Sequence, residues 1–154
     1  MKKTFLIVLI VFAVGFLPAV SYAAFWQKTK TLTPKQGELR IPVGDVSDGK
    51  AHFFKVKAND GTMVTFFVLK SRDGVIRAAI NACDECYEAG KGYVQDGDFM
   101  ICEQCGRRFA SDKINVIAGG CNPVGVDRKI QADQLVIGMK DINQKSWYCK
   151  LQKK

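Results

Sequence analysis

Apolar and polar residues alternate with a period of two along much of the chain, which predicts short strands rather than helices. Leu39, Ile41 and Val43 alternate with Arg40 and Pro42, and a loop over 45–50 follows. His52, Phe54 and Val56 then alternate with Phe53, Lys55 and Lys57. The run from Met63 to Leu69 is apolar on both faces, as a central strand covered on each side should be. Asn59-Asp60-Gly61 and Arg72-Asp73-Gly74 supply turns, the second leading into Val75 to Ile80, so this stretch predicts a β-meander. Leu135, Ile137 and Met139 suggest one more strand, and Trp147 and Tyr148 are expected to close the core near the C-terminus. Helix is scarce. Ser111 is placed to cap one short turn through Lys113 and Ile114.

The N-terminus has a different pattern. Lys2 and Lys3 precede an apolar run from Phe5 to Leu17, Pro18 ends any helix there, and Ser21 and Ala23 put small residues where a signal peptidase requires them. That is the layout of a secretory signal over residues 1–23, followed by a polar lead-in over 24–37 and a domain over 38–154. The run is shorter than the roughly 20 residues of a usual spanning helix. The alternative is an uncleaved inner-membrane anchor over residues 5–26. The absence of an Arg-Arg pair in the basic region predicts export of an unfolded chain, with any ion acquired afterwards. A periplasmic or other extracytoplasmic location follows, and it argues against a nucleic-acid partner. The net charge of +8 then reads as a solvated basic surface, able to feel anionic lipid weakly.

The chemistry lies between the two β parts. Cys83-Asp84-Glu85-Cys86 is followed after 15 residues by Cys102-Glu103-Gln104-Cys105, the spacing of a four-cysteine metal site. Between them, 92–95 and 98–101 flank Asp96-Gly97 and predict a tight hairpin that returns the second pair to the first. The expected fold is therefore mainly β: a small β-meander or sandwich-like domain with an inserted, zinc-ribbon-like cysteine hairpin. Cys83, Cys86, Cys102 and Cys105 are the predicted ligands of one ion. Zinc or copper best suits four sulfurs on donor chemistry and affinity order. An all-disulfide framework competes, since exported cysteines often pair. A redox Cys-x2-Cys is disfavoured by Asp84 and Glu85, which oppose a thiolate. Haem attachment would need a histidine where Tyr87 and Gly106 stand.

Several residues remain open on this reading. Cys121, in the turn Gly119-Gly120-Cys121-Asn122-Pro123, is the candidate fifth ligand or part of a covering loop. Cys149 is either a free buried thiol or the partner of Cys121. His52, the one histidine, is expected as a hydrogen-bonded core residue rather than a ligand. Met63, Met100 and Met139 are expected in the core, although thioethers also suit copper(I). Lys91, Arg107 and Arg108 flank the cysteines and either offset thiolate charge or form ordinary basic surface. No histidine stands beside a nucleophile, no glycine loop suits phosphate, and no carboxylate pair is convincing. A binding protein is expected rather than an enzyme.

Taken in order, Phe66-Phe67-Val68, the stretch 73–79, 82–87, Lys91-Gly92-Tyr93, 102–106 and 119–123 resemble the FtrD-like family of presumed membrane iron–sulfur proteins associated with iron-transport operons. The resemblance covers roughly Ala51 to Leu135. It implies iron or an iron–sulfur centre in place of zinc or copper, with Cys121 joining the four other cysteines and Cys149 outside the motif. The function expected from it is extracytoplasmic handling of iron or copper, or electron delivery to a membrane transporter or other redox partner. An interaction module with a purely structural zinc is the first alternative. A thiol–disulfide oxidoreductase is the second.

Overall fold

The computed structural model describes residues 29–151. The predicted signal, its cleavage site and the alternative anchor lie outside these residues. No helix among the described residues is long and apolar enough to cross a membrane.

The predicted meander forms the middle layer. Strands β1 (Lys30–Thr31), β2 (Glu38–Pro42), β3 (His52–Lys57), β4 (Met63–Lys70) and β5 (Ile76–Ile80) come first in the chain. Of these, β3, β4 and β5 pair antiparallel, and β1 adds parallel to β3, giving the order β1-β3-β4-β5. The corners follow from local chemistry. Asp60 accepts a hydrogen bond from the Thr62 amide, and Gly61 takes a φ of 84° that costs other residues strain.

β4 is apolar on both faces because it is buried on both. Val64, Phe66 and Val68 face one core, while Phe67 and Leu69 face another. Phe66 and Phe67 have no exposed surface, and each such side chain contributes roughly 2–3 kcal/mol of burial. The first core is closed by a sheet in which β10 (Gln134–Gly138) lies between β2 and β9 (Lys129–Gln131), with Ile137 opposite Leu39 and Leu135 opposite Ile41. The second core is closed by β6 (Tyr93–Asp96), β7 (Phe99–Cys102) and β8 (Arg108–Ala110), which carry the predicted cysteine hairpin. The fold is mainly β, in three small sheets.

Several local expectations need correction. Val43 does not extend β2; Val43–Val46 is a 3-10 turn that buries Val46 within the expected loop. Met139 starts a helix, α1 (Met139–Gln144), because Met139 and Ile142 reach the core at helical spacing. Ser111 makes no capping bond: it lies inside the 3-10 turn, buried, with its hydroxyl unpartnered. Trp147 does not close the core but is 43% exposed, stacked on Tyr148 at 3.7 Å. Met63 is exposed at the start of β4, whereas Met100 and Met139 are buried. His52 is hydrogen-bonded but not in the core; it is partly exposed at the start of β3, with Nε2 2.7 Å from an Asp48 carboxylate oxygen.

Candidate metal centre

Three loops converge at one end of the second core. The turn after β5 carries Cys83 and Cys86. The β7–β8 connection carries Cys102 and Cys105, and the loop after the 3-10 turn over Ser111–Lys113 carries Cys121. The hairpin works by register: Tyr93 lies opposite Cys102 and Asp96 opposite Phe99, so the loop itself is Gly97-Asp98, with φ of 56° at Gly97.

The two Cys-x2-Cys turns are built alike. In each, the carbonyl of the first cysteine accepts an amide four residues on: Tyr87 to Cys83 at 3.1 Å, and Gly106 to Cys102 at 2.8 Å. Both wrap the chain around the point where their sulfurs meet. Asn81 joins them, its side-chain oxygen accepting the Tyr93 amide at 2.8 Å. A Cβ on Gly92 would collide with that asparagine, so the glycine permits the approach.

The sulfurs form two sets of three that share Cys86. Cys83, Cys86 and Cys102 lie within 4.8 Å of one another, and so do Cys86, Cys105 and Cys121. The structure thus divides the four predicted ligands between two sets and brings Cys121 into the second. Cys105 and Cys121 are 3.7 Å apart, sulfur to sulfur. A tetrahedral ion with bonds of about 2.3 Å requires sulfur separations of about 3.8 Å. A cavity of about 10 Å³ lies among Cys83, Cys86, Cys102 and Tyr93, close to the space of one small occupant. Five thiols of soft donor character therefore fit a thiophilic metal.

The environment of the thiols is uneven. Burial pushes Cys86, Cys102 and Cys121 upward, although the amides of Cys105 and Gln104 aimed at the Cys102 sulfur act in the opposite direction. Cys105 is exposed, and the backbone amide of Arg107 lowers its thiol to about 7. Arg107 thus acts through its backbone. Arg108 instead pairs with Asp96 at 2.7 Å and lies over the Phe99 ring. All six cysteines are free thiols. Cys149 lies in the first core, on the other face of the meander from Cys121, with its sulfur 3.9 Å from the Thr65 carbonyl. His52 takes no part in either sulfur set.

Two aromatic residues near the cysteines belong to the site without a motif of their own in the sequence. Tyr93 is buried and donates its hydroxyl to the Cys121 carbonyl at 2.6 Å, tying the third loop to the hairpin. Its position directly opposite Cys102 was the available signal. Tyr148 donates to the Asp84 carboxylate, between Cys83 and Cys86. No local pattern links residues so far apart in sequence.

The family described as "Membrane iron-sulfur containing protein FtrD-like" matches residues 46–148. No curated protein matches the chain. Among solved structures, the chain is similar to the quaternary ammonium Rieske monooxygenase CntA in two complexes. With an inhibitor bound, identity is 15% and the TM-score 0.44, covering 62% of this chain and 29% of that one. With gamma-butyrobetaine bound, identity is 14% and the TM-score 0.46, covering 75% and 34%. The chain thus spans about a third of those proteins' length.

Proposed function

The chain belongs to the FtrD-like family of membrane iron–sulfur containing proteins, and on that premise we propose that its five-cysteine cluster holds iron, as a cysteine-ligated iron or iron–sulfur centre, and serves electron delivery in extracytoplasmic iron or copper handling. The observation that carries this reading is the pair of sulfur sets sharing Cys86. Bound iron would supply a one-electron couple. The protein's own residues supply the rest. Buried Cys83 and Cys102 with partly buried Cys86 would hold the metal from the inner side, the amides around Cys102 and Cys105 stabilise thiolate charge, and exposed Cys105 would give an edge that a partner can approach. Residues 1–23 direct export and 38–154 form the working domain. The partner is a membrane transporter or its redox supplier.

A second reading is a structural zinc in an interaction module, which the 3.7 Å separation of Cys105 and Cys121 suits as well as it suits iron. One spectrum separates the two. Protein purified from the exported fraction should show visible thiolate-to-iron absorption that bleaches on dithionite and returns on oxidation. A colourless protein carrying stoichiometric zinc would favour the structural reading.

A further inference from the structure

Next to the Cys83–Cys86 turn lies a partly open cavity of about 350 Å³, with Asp84 in its wall and with Arg128, Tyr148, Val116 and Ile117 around it. Its volume is at the lower end for small-molecule sites. Arg128 is half-buried, and its Nε donates to the Ile76 carbonyl at 2.9 Å, which fixes the guanidinium in place. Among the described residues no carboxylate forms an ion pair with it. The other charges at the wall are already engaged or open to water. Lys145 is bound by Asp141 at 2.6 Å and by the Gly125 carbonyl, Asp84 accepts from Tyr148, and Asp127 is exposed. A held guanidinium whose Nη edge has no partner is a fork suited to two carboxylate oxygens. Burial and the nearby Arg77 disfavour its charge more than the neighbouring, exposed Asp127 supports it, a cost that an incoming anion would relieve. Beside it, Val116 and Ile117 are 64% and 49% exposed and form an apolar wall suited to an apolar ligand body.

We propose that this cavity binds a small organic carboxylate, its anionic end on the Nη edge of Arg128 and its apolar body against Val116 and Ile117. The site is separate from the cysteine cluster but shares Asp84 with the turn that carries Cys83 and Cys86. It does not depend on which metal the cluster holds.

The test is a titration of the full chain, as purified, with benzoate as probe, followed by calorimetry and by amide shifts. Saturable binding is expected, with shifts over 116–119 and at Arg128. Arg128→Gln should weaken it at least about tenfold, as loss of a charge-assisted bidentate pair does. Benzamide, of the same shape without the charge, should bind at least about tenfold more weakly. Ile117→Asp, at an exposed position that should leave the fold intact, should also lower affinity by placing a carboxylate beside the ligand's own. Absence of saturable benzoate binding to the wild-type chain would overturn the proposal. So would equal binding of benzamide, or benzoate affinity unchanged in Ile117→Asp and in any folded Arg128→Gln.

Discussion

The two Cys-x2-Cys turns share a backbone plan, with the first cysteine buried and the two middle residues exposed in both, and differ in what surrounds the second cysteine. The end of the Cys83–Cys86 turn is covered: Cys86 is only partly exposed, Asp84 is held by Tyr148, and Tyr87 meets Trp147 and Tyr148 edge to face. The Cys102–Cys105 turn is open: Glu103, Gln104, Cys105 and Gly106 are all exposed, and the Cys105 thiol is lowered to about 7. Matching ligand spacing therefore hides a division of labour. On the proposed reading, the first turn together with buried Cys102 would anchor a metal against the second core, and exposed Cys105 would present it. A closed structural site has no use for the second feature, whereas a centre that exchanges electrons or metal needs an accessible edge.

The largest expected effect tests the anchor. Cys86 belongs to both sulfur sets, so Cys86→Ser should remove most bound metal and several kcal/mol of metal-coupled stability. Cys105→Ser should retain more of both. Metal content and thermal unfolding of the two variants read this directly, and equal losses would erase the distinction between the turns. Glycine substitutions sharpen it. Gly106→Ala, with φ of 72° and open space around a new Cβ, should cost about 1–2 kcal/mol. Gly92→Ala adds a collision with Asn81 and should cost about 2–4 kcal/mol by denaturant unfolding.

Cys149 provides a reference thiol outside the centre. Burial raises it from 9.0 to about 11, so the folded state keeps a proton that the unfolded chain releases first. Its contribution is constant below pH 9.0 and falls between there and about 11, by roughly 2–3 kcal/mol in all. Cys149→Ala should remove that part of the alkaline loss in a pH series of unfolding curves. In reduced, metal-free protein, Cys105 should be alkylated first, with a rate midpoint near pH 7 and roughly tenfold ahead of Cys83 and Cys102. Peptide mapping by mass reads the order. The smallest effect is expected at the third loop: Cys121→Ser should keep bound metal but change the rate at which a chelator removes it. Identical rates would reduce Cys121 to a packing residue.

Much of this was legible because it is local. Period-two alternation placed β3, two-faced apolarity marked β4 as central, and the Asp73-Gly74 turn led into β5. Cysteine spacing and the Asp96-Gly97-Asp98 stretch brought both pairs together. The failures came where tertiary context decides. His52 shares the alternation of its strand but lies at the start of β3, where Asp48 meets it. The sharing of Cys86 between two sulfur sets depends on how three loops converge, which spacing alone does not encode. Tyr148 reaches Asp84 across 64 residues, and no short-range pattern reports such a contact. Met139 fits a strand in the sequence because one buried position suits either period; only Ile142 beneath it reveals the helix.

The most direct test of the central claim is iron and acid-labile sulfide per chain, measured on protein from the exported fraction and on Cys86→Ser prepared in parallel. Iron in the wild-type protein, with or without matching sulfide, and little in the variant is the predicted result. Stoichiometric zinc without iron, or iron content unchanged by the loss of Cys86, would contradict it.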